Sequence, residues 1–240
     1  KGYVTTGYNP DQKYLSDTWE YNPETNSWRQ MDDFKGGARY YAIGFGIDNY
    51  GYVGTGYNDN YLKDFYRFDP TAAAGSQWTI VNGFGGQKRQ GGTAFVIDGK
   101  AYVCGGQNNN SDVSDFWCFD PSAATPWTQL RDIANTSDDD YDDDYTSIVR
   151  SYGVSFVIDG KAYLTLGSTA GGSYYSNYWI YDPATDLWEG DDLTAFEGST
   201  RIHAVCFSTG TRGIVATGGS GSSSYFDDTW ELKPYEYEEE

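Results

Sequence analysis

The chain has 240 residues, among them 23 tyrosines, 8 tryptophans and 30 glycines, and carries a formal net charge of −19. That charge argues against nucleic acid and anionic membrane surfaces as partners, because a phosphate-bearing surface has to be met with lysine and arginine. No apolar run approaches the roughly 20 residues of a membrane-spanning helix, and the wealth of glycine and aromatics favours many short strands and turns over packed helices.

Taken in order, the chain repeats one unit. A run closing on glycine occurs at 2–7, 51–56, 101–106, 162–167 and 213–219. After a polar loop each is followed by an aromatic segment: DTWEYNP (17–23), DFYRFDP (64–70), DFWCFDP (115–121), NYWIYDP (177–183) and DTWELKP (228–234). A closing tryptophan follows at Trp28, Trp78, Trp127 and Trp188. Ahead of the glycine-closed run stands one led by arginine: RYYAIGFGID (39–48), RQGGTAFVID (89–98), RSYGVSFVID (150–159) and RIHAVCFSTG (201–210). These runs predict four short strands per unit. The Asn-Pro and Asp-Pro pairs predict turns, and no segment carries a helical stripe of useful length.

The period of ~50 residues is that of a four-stranded propeller blade. GYVGTGY, KAYVCGG, the aromatic segments ending in Asn-Pro or Asp-Pro and the spaced tryptophans resemble kelch repeats over nearly the whole chain. The resemblance implies an all-β fold, a single β-propeller domain spanning 1–240 with copies at about 1–30, 39–80, 89–130, 150–190 and 201–234. The first copy lacks the arginine-led strand and the last lacks a closing tryptophan strand. One segment preceding Lys1 is expected to supply both and to close a ring of five four-stranded blades. A six-bladed ring is the alternative. The tail at 234–240 could substitute for the outer strand, although its charge reads as a solvated end.

Propeller geometry sorts the loops onto two faces. The loops at 8–16, 57–63, 107–114, 168–176 and 220–226 share one face and differ between copies, as binding loops on a rigid scaffold do. Their candidate ligand-binding residues are Tyr8, Tyr14, Tyr57, Tyr61, Asn108, Tyr174, Tyr175 and Tyr225. Flat tyrosine faces suit sugar rings, and the same mixture suits an adaptable protein contact. Polar loops that merely cover the blade edges are the structural alternative.

Arg39, Arg89, Arg150 and Arg201 recur at the head of the innermost strand and are expected to ring the channel mouth. They either hold an anion or pair with Asp17, Asp64, Asp115 and Asp228 as scaffold. The second role fits a position repeated in every copy.

The longest inter-blade connection contains SDDDYDDDY (137–145), whose Asp138, Asp140, Asp142 and Asp144 form a candidate calcium site. It departs from the EF-hand pattern at the sixth and twelfth positions, so a solvated acidic loop is the competing reading. Asp32, Asp33, Asp191 and Asp192 would add to the acidity of the same face. Cys104 and Cys118 could face each other across a hairpin, as a disulfide or as two thiols, and Cys206 reads as a buried strand residue.

Catalysis has little support. His203 is the single histidine, and no triad, zinc spacing or phosphate loop occurs. No cofactor is expected apart from the candidate Ca2+. The chain is similar to bacterial kelch proteins with GTGY-type repeats, which are often exported as lipoproteins. This implies an extracellular or cell-surface location, with a lipid anchor outside the given chain. The expected function is therefore non-enzymatic: a propeller presenting its tyrosine-, asparagine- and aspartate-rich face to a glycan or an envelope protein. The alternative is a sugar-processing, mutarotase-like enzyme with its site at the channel mouth, for which Glu197 and Arg201 are the nearest acid/base candidates.

Overall fold

In a computed structural model, residues 1–190, 194–221 and 223–234 are described. Five antiparallel sheets follow one another along the chain. The first contains β1 (Gly2–Asn9), β2 (Lys13–Asn22) and β3 (Ser27–Gln30). The second contains β4 (Ile43–Ile47), β5 (Tyr50–Gly54), β6 (Phe65–Phe68) and β7 (Trp78–Val81). The third runs β8 (Thr93–Ile97), β9 (Lys100–Cys104), β12 (Trp117–Phe119), β13 (Trp127–Gln129), with a small ladder of β10 (Gln107–Asn108) and β11 (Ser111–Asp112) in its loop. The fourth comprises β14 (Val154–Ile158), β15 (Lys161–Thr165), β16 (Trp179–Asp182) and β17 (Leu187–Glu189). The fifth holds β18 (Val205–Ser208), β19 (Gly213–Ala216) and β22 (Thr229–Leu232), beside a ladder of β20 (Gly219–Ser220) and β21 (Ser224–Tyr225). A 3-10 turn at Asp140–Asp142 is the one helical element among the described residues.

The sheets are the blades of a five-bladed propeller, each in simple up-and-down order from the axis outward. Both faces of a blade meet a neighbour, which is why its strands bury aromatics on both sides. Ile43, Tyr52 and Phe65 of the second blade form one core with Val103, Phe119 and Trp127 of the third. Phe95 and Tyr102 of the third meet Leu164, Tyr181 and Trp188 of the fourth. Val154, Phe156 and Tyr163 of the fourth meet Val215 of the fifth. A smaller cluster of Phe34, Phe68 and Trp78 ties the first connection to the second blade. Each buried aromatic stabilises the fold by about 2–3 kcal/mol relative to exposure.

Three sequence expectations meet the structure at this level, and the first two change. Closing tryptophans are not equivalent: Trp78, Trp127 and Trp188 are 4–5% exposed, whereas Trp28 is 55% exposed. Trp127 shows what they do, packing on Phe65 and Phe84 that belong to the preceding unit, and Trp28 has no such neighbour among the described residues. Cys104 and Cys118 do not face each other. The register sets Cys118 opposite Tyr102, which puts Cys104 on a diagonal, and all three cysteines are free thiols. Finally, the first sheet has no strand inside β1 and the fifth has none outside β22 among the described residues. Residues 235–240, considered above as a substitute outer strand, lie outside the described part, as do Asp191 and Asp192.

Candidate functional site

The arginine heading each inner strand sets the local geometry. Arg39, Arg89, Arg150 and Arg201 are all buried, at 0–2% exposure, and do not line an open mouth. Each donates through Nη1 to the backbone carbonyl sixteen residues later: Thr55 at 2.9 Å, Gly105 at 3.2 Å, Leu166 at 3.1 Å and Thr217 at 3.0 Å. Arg39 forks onto Asp64 at 2.6 and 3.0 Å, Arg89 pairs with Asp115, and Arg201 forks onto Asp228. Arg150 meets Asn177 in place of an aspartate, at 3.1 Å, and lies 4.7 Å from the Tyr175 ring centroid. Burial without a carboxylate pulls the Arg150 pKa down to about 10. Conversely, the hydrogen bond from Arg201 holds the Asp228 carboxyl down at about 2, with the Trp230 indole N–H adding to it. These are scaffold contacts that fix blade to connection, and they leave no guanidinium offered to a ligand.

The residue two places after each arginine is the informative one. Tyr41, Gly91, Tyr152 and His203 all adopt positive φ, at 54°, 64°, 59° and 58°. This left-handed step turns the chain so that side chains from three blades converge over the axis. Tyr41 stacks on His203 with centroids 4.9 Å apart and planes at 6°. Tyr152 packs edge-on to Tyr41 at 4.8 Å and lies 4.5 Å from His203. Gly91 has to lack a side chain, because a Cβ there would strike the Tyr152 ring. The Tyr152 hydroxyl accepts from Gln90 Nε2 and Gln107 Nε2, both at 2.8 Å. Burial pushes the Tyr152 hydroxyl up to about 12 and pulls the His203 imidazole below its ordinary value. The trio is therefore uncharged at neutral pH.

The axial trio continues outward into the first two blades. Tyr40 touches Tyr41 at 4.3 Å, Tyr8 at 5.6 Å, Tyr57 at 5.8 Å, and stacks on Tyr14 at 5.6 Å with planes at 11°. Tyr57 packs edge-on to Tyr61 at 5.0 Å. The backbones of Tyr40 and Tyr57 pair through two hydrogen bonds of 3.1 and 2.9 Å, which fixes the spacing of the rings. The Tyr14 hydroxyl donates to Asp59 at 2.7 Å, and that carboxylate raises its pKa to about 12. Eight rings thus form one continuous aromatic surface: Tyr8, Tyr14, Tyr40, Tyr41, Tyr57, Tyr61, Tyr152 and His203. Tyr8 is 57% exposed and Tyr41 38%, so the surface is open at both its rim and its centre.

The structure brings Tyr8, Tyr14, Tyr57 and Tyr61 together in this surface, and the other loop candidates lie apart from it. Tyr174 accepts a hydrogen bond from the Gly221 N–H at 2.9 Å, bridging two blades. Tyr175 lies against Arg150. Asn108 belongs to the short β10 ladder, and Tyr225 to the β21 ladder, where it is 83% exposed. Sequence reasoning missed Tyr40, Tyr41 and Tyr152 and named His203 only as the single histidine. Lining up the copies on the arginine would have singled out Tyr41, Tyr152 and His203, since the column two places on reads Tyr, Gly, Tyr, His.

The acidic connection is not assembled as a metal site. Among the described residues no three His, Cys, Asp or Glu side chains are grouped to hold an ion. Asp142 is buried and accepts from the N–H groups of Thr136 and Ser137, both at 2.9 Å, and from the Ser137 hydroxyl at 3.0 Å. It closes its own loop, while Asp138, Asp140 and Asp144 point to solvent as exposed residues. Asp32 plays a similar capping part, accepting from the N–H groups of Gly75 and Gln77. The Glu197–Arg201 pair considered for acid/base work is not formed either. Arg201 is occupied by Asp228, Thr217 and Ser199, whereas Glu197 is exposed beside a separate recess with Tyr178 and Trp230.

Comparison with known proteins agrees with this architecture. The kelch motif profile matches residues 3–35 and 88–130. Kelch-like protein 15 of Danio rerio is 25% identical over 189 residues, which are 75% of this chain and 30% of that protein, so the chain spans under a third of its relative's length. The solved structure of YjhT superposes with a TM-score of 0.74 at 14% identity, covering 95% of this chain and 76% of that one, a likeness of fold. With five repeats of one blade, the arginine anchor in four of them and kelch matches in two, the chain is a five-bladed β-propeller that carries kelch motifs.

Proposed function

We propose that this propeller is a non-enzymatic binding module whose ligand is a glycan or another surface protein, met on the eight-ring aromatic face. The contiguity of that face carries the reading. Single exposed tyrosines are ordinary, but a connected group rigidified by backbone pairing and ring contacts presents flat apolar area with little side-chain entropy left to lose on binding. Hydroxyls at the ring edges and the Asp59 carboxylate supply the polar partners that sugar hydroxyls or a peptide backbone require. The burial and pairing of the four arginines favour binding over the enzyme alternative, because none of them is free to act on a substrate at the axis.

A glycan array probed with the labelled chain tests the ligand class. Saturable signals on a related set of glycans support the glycan reading. An array blank at micromolar protein removes it and leaves the protein partner, to be sought by crosslinking from a tyrosine-face position. Turnover of a sugar anomer by the wild-type chain, abolished by Glu197→Gln, would overturn the non-enzymatic reading.

A further inference from the structure

Each of the four arginine-led runs opens on a matched pair. The residue after the arginine is joined by two backbone hydrogen bonds of 2.8–3.1 Å to the residue just past the glycine that closes the next run: Tyr40 to Tyr57, Gln90 to Gln107, Ser151 to Ser168 and Ile202 to Gly219. Directly opposed residues of an antiparallel bridge put their side chains on one face. The pairs therefore change character around the axis, from aromatic in the second blade to amide in the third, hydroxyl in the fourth and aliphatic in the fifth. Because these backbones already pair with one another, the axial face offers little main-chain edge to an extended peptide, and recognition there falls to side chains.

The amide pair meets the axial trio through polar atoms. Gln90 Nε2 and Gln107 Nε2 both donate to the Tyr152 hydroxyl at 2.8 Å, so this hydroxyl, reaching over Gly91 from the fourth blade, is held in a fork. A phenol oxygen that accepts twice still has its own O–H to give, and among the described residues no acceptor receives it. Gln90 is 9% exposed, and its Oε1 is buried without a donor. Gln107, the outer arm of the fork, is half-buried, and the exposed Tyr41 ring stands 4.8 Å from Tyr152. An unused hydroxyl donor and an unused carbonyl acceptor thus meet beside an open ring. A buried polar atom without a partner is unfavourable until a ligand supplies one.

Resting on the glycan reading of the aromatic face, we propose that the Gln90–Gln107–Tyr152 fork is its polar subsite and takes two adjacent hydroxyls of an uncharged sugar residue. A sugar hydroxyl both gives and accepts a hydrogen bond, which suits one free O–H beside one free carbonyl, and the neighbouring tyrosine rings supply flat area for the C–H face of the sugar. Charge separates neutral from acidic sugars. Tyr41, Tyr152 and His203 are uncharged at neutral pH, since burial raises the two hydroxyls and lowers the imidazole. The arginines heading the inner strands are buried, and the net charge of −19 repels an anionic ligand.

The test sets neutral glycans beside their carboxylate- or sulfate-bearing counterparts on one array, probed with wild type, Gln107→Leu and Tyr152→Phe, each checked by Tm. Wild type should bind the neutral members at least about tenfold more tightly than the acidic ones, and each variant should lose about tenfold. Monodeoxy forms of the strongest neutral hit then separate contact from a general effect on the face. Removing one hydroxyl of the engaged pair should weaken wild type about tenfold and Gln107→Leu no further. Wild-type binding by both variants, with loss on Tyr8→Ala and Tyr57→Ala, would overturn the subsite and leave the aromatic face as the site. A preference for acidic glycans, or deoxy losses equal on wild type and Gln107→Leu, would overturn it too. An array blank for wild type removes the glycan reading and the subsite together.

Discussion

The Tyr41 ring lies parallel to the His203 imidazole, 4.9 Å between centroids, although the two residues come from blades that are not sequence neighbours and stand 162 positions apart. This contact joins the second and fifth blades across the axis and makes the aromatic face one surface. Burial lowers the His203 pKa in the folded state, so below about pH 6.5 the unfolded chain binds more protons than the folded one. Stability contributed by neutral His203 is therefore present above pH 6.5 and declines as pH falls toward the lowered folded pKa. Tyr41 and Tyr152, the groups facing it, do not titrate there. Thermal melts from pH 7.5 to 5 should show a steeper loss for wild type than for His203→Gln.

The arginine anchors make a second prediction through comparison of equivalent positions. Asp115 is buried against a fully buried Arg89, so Asp115→Ala strands a charge and should cost about 3–5 kcal/mol in denaturant unfolding. Asp17→Ala removes a carboxylate that among the described residues accepts one side-chain hydrogen bond, from the Trp19 indole N–H, and should cost about 1 kcal/mol or less. Similar losses at the two sites would contradict the view that the buried arginine partner is what makes Asp115 an anchor.

Acid titration supplies a third. Arg201 holds the Asp228 carboxyl down at about 2, below its unfolded value, so the pair stabilises the fold above about pH 4 and the contribution disappears as pH falls toward 2. Asp228→Asn should flatten that limb of the stability profile, which chemical denaturation at successive pH values reads directly.

The hub of the aromatic face gives a fourth. Tyr40 touches Tyr8, Tyr14, Tyr41 and Tyr57. Tyr40→Ala should cost about 2 kcal/mol from lost ring pairs and buried area, while Tyr8→Ala, at the exposed rim, should cost less than about 0.5 kcal/mol.

The blade was legible in the sequence because the constraints on it recur: a glycine at the tight approach, an arginine sixteen residues before its carbonyl partner, a tryptophan that packs on the preceding unit. The aromatic face was half legible. Tyr8, Tyr14, Tyr57 and Tyr61 stand in loops that vary between copies, which marked them. Tyr41, Tyr152 and His203 share the place two residues after the arginine, but their meeting follows from the left-handed step that turns each toward the axis from a different blade, which the sequence pattern does not spell out.

The most direct test of the binding account compares two double variants on the same glycan array and crosslinking format. Tyr8→Ala with Tyr57→Ala removes the rim of the connected face, and Tyr174→Ala with Tyr225→Ala removes tyrosines that lie apart from it. The account predicts about tenfold or greater loss of binding for the first pair and little change for the second, with the fold of both verified by Tm. Binding retained by the first pair and lost by the second would contradict it.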